Sequence, residues 1–357
     1  MVRAKRFWRL GGAQITFLAA LIAIGCGGGG GSTGVTGGAT GVTGGATGIT
    51  GSTAGSTSST AGTTSTTAGT DGSTDGSTSG SNGGTTSGNS ATNTTTVLYI
   101  SDQEGYPRLY TMPLTGGTGT EIDTGFTDPD SAALSPDGAT AVYSAWGFAA
   151  QLYLIPSGGG SVTELTDSSS NAVDPSFAPD GNSVLFTSDA TGVPQLYTIP
   201  VAGGVPTQLT NLSNGAVSGK FSPDGTKIVF VSGSTSNDVY IMNANGTGIQ
   251  ALANTSADES QPCFSSDGGK IIYSKDAGGS GGPNGQLWIM NLNGSGATQL
   301  TNSVLDDQHP APAADGTILF VRGLFGSRDI FSVPVTGGSV SQLTVAGANL
   351  NYPSMGW

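Results

Sequence analysis

Five copies of one short signal recur along the chain at a nearly constant interval: Ser135-Pro-Asp137-Gly138, Ala178-Pro-Asp180-Gly181, Ser222-Pro-Asp224-Gly225, Ser265-Ser-Asp267-Gly268 and Ala313-Ala-Asp315-Gly316. The Asp-to-Asp intervals are 43, 44, 43 and 48 residues, the period of a four-stranded propeller blade. Each Asp-Gly is a tight-turn signal followed by an apolar run: Ala141-Val-Tyr143, Val184-Leu-Phe186, Ile228-Val-Phe230, Ile271-Ile-Tyr273 and Ile318-Leu-Phe320. A unit that repeats in this way cannot bury its apolar faces alone, so neighbouring units must stack on one another.

Within a period the order of signals is constant. Pro175-Ser-Phe177 opens a first strand, Asp180-Gly181 turns it, and Val184 to Thr187 forms a second. A loop with Gly192 leads to Leu196-Tyr-Thr-Ile199, and Gly203-Gly204 turns that strand into a short fourth one ending at Leu209-Thr210. The third strand recurs as Leu109-Tyr110, Leu152-Tyr153, Val239-Tyr240, Leu287-Trp288 and Ile330-Phe331. Its turn to the fourth strand reads Gly116-Gly117, Gly158-Gly159, Gly203-Gly204 and Gly337-Gly338, or else Asn245-Gly246 and Asn293-Gly294. Both dipeptides tolerate the positive φ angles of two-residue hairpins.

The ends of the repeat region predict how a ring closes. Val97-Leu-Tyr99-Ile100 matches a second strand with no first strand ahead of it, and Tyr352 to Trp357 matches a first strand with nothing after it. Joined, they complete a sixth blade and remove the exposed edges of an open sheet. The expectation is an all-β, six-bladed propeller of four-stranded antiparallel blades over residues 97–357.

The full pattern is Pro-x-Phe-Ser-Pro-Asp-Gly, an apolar strand, Ser-Asp-x-x-Gly, Leu-Tyr-x-Ile-Pro, Gly-Gly, Leu-Thr; it resembles the TolB-type propeller repeat. The resemblance implies a binding platform with protein partners in the cell envelope. Fold alone does not fix function, because propellers also serve as peptidase gates and lyase scaffolds.

Residues 1–25 read as an export signal, with Arg3, Lys5, Arg6 and Arg9 ahead of an apolar stretch from Ile15 to Ile24. That stretch suits a signal-peptide core and is too short to span a bilayer. Ala23-Ile24-Gly25-Cys26 resembles the lipobox of bacterial lipoproteins, which makes Cys26 the expected site of lipidation. The protein is then held at the outer membrane, with a secreted form as the alternative. Residues 26–96 are almost entirely Gly, Thr, Ser and Ala, and such a segment cannot bury enough apolar surface to offset chain entropy. It is expected to be a disordered tether. Gly38 and Gly45 break its three-residue register, and its lack of proline excludes collagen.

Cleavage removes four of the eleven Lys and Arg and no acid, so seven basic residues face 24 Asp and Glu, a net charge of −17. Such a chain repels nucleic acid and anionic lipid heads, and the membrane contact expected is the lipid anchor alone. Cys263 then has no partner for an intramolecular disulfide, and its place in a first strand predicts a buried thiol.

Enzyme readings fail by inventory. His309 is the only histidine, which excludes both a multi-histidine metal site and a Ser-His-Asp triad in a following hydrolase domain. The repeated Ser-x-Asp-Gly lacks the residue that a sialidase Asp-box places between Asp and Gly. Asp128-Pro-Asp130, Asp174 and Asp306-Asp307 lack EF-hand spacing and read as solvated turn carboxylates rather than calcium ligands. No catalytic residue, metal or cofactor is expected.

One constellation points to binding. Aligning the first strands places Ser131, Asp174, Ser218, Gln261, His309 and Tyr352 at one equivalent position, all polar and all near the mouth of the central channel. An unperturbed His309 would titrate near pH 6.5 and make binding there pH-sensitive, and Pro310 predicts an extended backbone at His309. The reading is a monomeric, lipid-anchored envelope protein that presents the propeller to protein partners. Its alternatives are a saccharide- or small-molecule-acting enzyme at the channel mouth and a structural surface spacer.

Overall fold

The computed structural model describes residues 9–10, 13–14, 95–125, 128–233, 236–253, 255–276, 285–324, 326–344 and 349–356. Arg9–Leu10 and Ala13–Gln14 pair as a short antiparallel ladder. Cys26, nearly all of the 26–96 tether and the rest of the export signal lie outside the described residues.

Residues from Thr96 onward form six four-stranded antiparallel blades, and no helix occurs among the described residues. The first blade joins Leu350–Met355 to Thr96–Ser101, Arg108–Pro113 and Thr120–Ile122. The other five run in chain order, with first strands Pro129–Leu134, Ala172–Phe177, Val217–Phe221, Glu259–Phe264 and Asp306–Pro312. The closing strand pairs Leu350 with Ser101 and Met355 with Val97, so the two ends of the repeat region share one sheet. First strands of all six neighbouring blade pairs touch, including the first blade with the sixth.

Period-two side chains explain the packing. Second strands are buried on both faces, as in Ser183–Ser188, because each is sandwiched between two neighbouring blades. One apolar cluster fills each of the six interfaces: Phe177, Val184 and Ile199 meet Val142 and Leu152 between the second and third blades, and Val97, Met112 and Met355 meet Leu319 and Ile330 across the closure. The aromatic at the middle of each second strand stands directly opposite one on the third. Tyr99–Tyr110, Tyr143–Tyr153, Phe186–Tyr197, Phe230–Tyr240 and Phe320–Phe331 stack with centroids 5.5 to 5.9 Å apart, adding cross-strand attraction to burial. The fourth strands at the rim hold only two or three residues, which limits the edge open to unwanted pairing.

The Asp-Gly signal is a turn with a side-chain brace. Gly138 N–H donates to the Ser135 carbonyl at 2.8 Å with Gly138 at φ 73°, while Asp137 Oδ1 accepts from Ser135 Oγ at 2.6 Å and from Ala139 N–H at 3.0 Å. Only glycine takes this φ without strain. The turns between third and fourth strands differ from expectation. In the second blade the positive φ angles fall on Gly159 and Gly160, one residue beyond the expected pair. Asn245 and Asn293 do not enter positive φ at all, whereas Gly246 and Gly294 do. The asparagines act through their side chains instead, with Asn245 Oδ1 accepting from Thr247 N–H at 3.1 Å and Asn293 Oδ1 from Ser295 N–H at 3.1 Å.

The Leu-Thr that follows four of the six fourth strands has a structural role. Thr210 Oγ1 accepts from Leu196 N–H at 2.9 Å and donates to Gln195 Oε1 at 2.8 Å, which fastens the connection to the next blade. Thr166, Thr301 and Thr344 likewise accept from the third strand beside them.

Candidate functional site

Five of the six first strands end at an Asp-Gly turn and therefore begin at the opposite end of the axis, and the closing strand Leu350–Met355 pairs in the same sense. Antiparallel alternation brings the loops between second and third strands, and the connections between blades, to that same end. The channel mouth is thus ringed by the loops that vary most between repeats, the usual place for function on a rigid scaffold.

The six aligned residues sit on a distorted stretch of backbone. Asp174, Ser218, Gln261, His309 and Tyr352 all have φ between 52° and 54°, a region that costs a non-glycine residue about 1–2 kcal/mol. At each the ladder register shifts by one residue; Val173 faces Thr187 while Ser176 faces Leu185, which is a β-bulge. Ser131 differs because the bulge of its strand falls one position earlier, between Pro129 and Ser131. The expected extended conformation of His309 is therefore incorrect. The bulge overrides the preference imposed by Pro310, and the neighbouring blade holds the twisted backbone in place: His309 N–H donates to Gln261 Oε1 at 2.8 Å, as Asp174 N–H does to Ser131 Oγ at 3.0 Å.

Side chains link these positions from blade to blade. Ser131 Oγ lies 2.7 Å from Ser144 Oγ, and Ser218 Oγ reaches Asp174 Oδ2 at 3.4 Å. Gln261 Nε2 lies 3.3 Å from His309 Nε2, and the His309 and Tyr352 rings meet at a centroid distance of 4.3 Å. The structure thus brings Ser131, Asp174 and Ser218 into one chain of contacts and Gln261, His309 and Tyr352 into another.

The electrostatics of the mouth follow from its enclosure. Apart from Ser131, which is buried, these side chains are partly buried and keep part of their surface open. Burial, reinforced by the positive charges of Arg328 and Lys220, drops His309 to about 3. The expectation of an imidazole titrating near 6.5 is overturned, and His309 is a neutral hydrogen-bonding group throughout the physiological range. Burial also raises Asp174 against the opposing pull of Lys220 and the Ser218 hydroxyl, and raises Tyr352 well above a free phenol, with Asp130 and Asp174 adding to the effect.

The alignment of polar positions missed Lys220, two residues inward from Ser218. It occupies the place held by Ser176 and Cys263 in the adjacent first strands, and burial lowers its ammonium from the ordinary lysine value. Cys263 is buried as expected, and burial raises its thiol to about 12. The solvated-carboxylate reading fails at Asp174, which lies within a first strand and is raised by burial, and at Asp306 and Asp307. Asp307 has no exposed surface and binds Arg322 through two contacts of 2.7 Å, while buried Asp306 accepts from Gly285 N–H at 2.8 Å. Asp307 and Arg322 are direct cross-strand partners, a relation hidden until the register is known. Among the described residues no three His, Cys, Asp or Glu side chains gather as metal ligands.

Residues 131–282 match the family described as the TolB beta propeller domain. The solved structure of TolB from Acinetobacter baumannii is similar at 20% identity and TM-score 0.63, over 74% of this chain and 67% of that one. Hydrazine synthase from Kuenenia stuttgartiensis is similar at 15% identity and TM-score 0.61, over 72% of this chain and 46% of that one. An oligogalacturonate lyase in complex with manganese gives 11% identity and TM-score 0.51, over 70% and 74%. Comparison with curated proteins gives no match. At these identities the structural likenesses carry the fold and not the activity. With the repeat, the closed ring and the match over its middle blades in agreement, the chain carries a TolB-like six-bladed β-propeller.

Proposed function

We propose that this protein is a lipid-anchored component of the cell envelope that docks a partner protein on the mouth face of its propeller. The observation that carries the reading is the distribution of exposed apolar side chains. Phe148 is 99% exposed, Val304 90%, Tyr106 64% and Leu324 48%. All four stand on loops or strand ends at the mouth, spread over the fifth-to-sixth connection and the sixth, first and second blades. Large apolar side chains presented to water around a rigid opening suit a protein contact, where aromatic anchors supply most of the energy. The opposite face is built from Asp-Gly and Gly-rich turns; Val205 is open there, while Val162, Ile249 and Leu292 on the same face are only 37–39% exposed.

In this reading Ser131, Asp174, Ser218, Gln261, His309 and Tyr352 form the polar floor of the contact. Five of these six sit on strained backbone, which the preceding blade holds at Asp174 and His309, an arrangement associated with pre-organised sites. Lipidation at Cys26 and the tether over 26–96 belong to the same proposal, with support from residue pattern and composition. Roughly 70 residues of flexible chain give a typical span of about 40–50 Å, which lets the mouth search for a partner away from the membrane.

Capture from native envelopes with the full chain, run beside Phe148→Asp and Tyr106→Asp, tests the docking face. Partners retained by the parent and lost by both variants support it; partners retained equally by all three overturn it. A Cys26→Ser protein that still pellets with membranes would remove the anchor from the proposal.

A further inference from the structure

Inward from the mouth, five first strands place a small side chain at equivalent positions: Ala133, Ser176, Cys263, Ala311 and Ser354. The sixth places Lys220 there. Its ammonium has three donors, yet its hydrogen-bond contact is the Pro175 carbonyl at 3.5 Å, the outer limit of such a bond. Asp174 is the carboxylate that acts most strongly on Lys220, but the two do not close into an ion pair. The carboxylate itself accepts one long bond, 3.4 Å from Ser218 Oγ. Two opposite charges thus stand near each other in an enclosed channel with most of their hydrogen-bonding capacity unspent. Unmet charge in a desolvated place is costly, and both side chains keep part of their surface open.

We propose that Lys220 and Asp174 form a binding site for a small organic acid that carries a hydroxyl or amino donor beside its carboxylate. The ligand carboxylate meets the Lys220 ammonium, and its neighbouring donor meets Asp174. The second requirement sets the class, because Asp174 repels a bare anion such as phosphate while it rewards a donor held next to the negative group. Ser218 and neutral His309 are within the same polar surround; His309 already senses the charge of Lys220. The site shares the channel with the proposed protein contact and needs no protein partner, so either proposal can fail without the other.

Calorimetric titration of the full chain with lactate and glycine, against acetate and ethanolamine as controls, tests the assignment. Saturable binding of lactate or glycine is expected, at least tenfold weaker for acetate and absent for ethanolamine, with Lys220→Met weakening the acid at least tenfold. Asp174→Asn should narrow the difference between lactate and acetate. A second readout uses the parent protein alone: the ring protons of its single histidine should shift on addition of the bound acid. No saturable binding of either acid, equal affinity in parent and Lys220→Met, or binding that leaves the His309 signal unmoved would overturn the proposal.

Discussion

Ending the chain at residue 349 removes the strand Leu350–Met355 and with it the contact that closes the ring. Leu350 and Met355 are buried in the cluster between the first and sixth blades, and burial of two such side chains contributes about 3–6 kcal/mol. The strand also supplies Ser354 Oγ to the Leu134 N–H at 3.1 Å and Asn351 Oδ1 to Arg328 at 2.9 Å, together about 2 kcal/mol. The loss of about 5–8 kcal/mol compares with a total stability of about 5–15 kcal/mol for an ordinary domain, and it leaves an unpaired edge on Thr96–Ser101. Urea unfolding followed by circular dichroism should place the truncated chain at or beyond the edge of folding. Met355→Ala gives a graded version with an expected cost of about 2–5 kcal/mol. If both proteins unfold within about 0.5 kcal/mol of the parent, an error typical of such measurements, the closure carries no energy and the packing argument is wrong.

Three further outcomes are expected. Arg322→Met strands the fully buried Asp307 carboxylate and should cost about 3–5 kcal/mol, whereas Arg322→Met with Asp307→Leu should recover much of that loss; equal stability of the two variants would contradict the buried-pair account. The His309 ring resonance should stay flat from pH 8 to 5, because its folded value of about 3 lies below the ordinary one. The unfolded chain then binds the extra proton between about 3 and 6.5, so this group's contribution to stability is complete above 6.5 and declines as pH falls through that window; an inflection near 6.5 would contradict the enclosure of the mouth. Asp137, Asp224 and Asp267 are held below the ordinary carboxylate value chiefly by the hydroxyls of Ser135, Ser222 and Ser265. Their support is present above about pH 4 and is lost as pH falls through their lowered values, so a triple Asn variant should show a shallower acid loss in thermal unfolding.

The parts of the fold legible in the sequence are those that local chemistry dictates. Asp-Gly reports a turn wherever it stands, and the unmatched strands at Val97 and Tyr352 require each other. The mouth was legible as a position and not as a chemistry. Pro310 suggests extended backbone at His309, but the bulge that overrides it depends on the partner strand, which no local pattern reveals. Aligning polar positions passed over Lys220, because its equivalents Ser176, Cys263 and Ala311 look like ordinary small packing residues. Asp307 reads as a turn acid until the register sets it opposite Arg322. The value of about 3 at His309 comes first from burial and then from charges distant in sequence, Arg328 on the third strand of the same blade and Lys220 on another blade.

The central functional claim is that partners meet the mouth face. Photocrosslinking amino acids placed singly at Phe148 and Val304 on that face, and at Asp180 and Asp315 on the turn face, test it in intact envelopes. The account predicts discrete protein adducts from Phe148 and Val304 and none from the two turn positions. Adducts from Asp180 or Asp315, with Phe148 and Val304 silent, would contradict it.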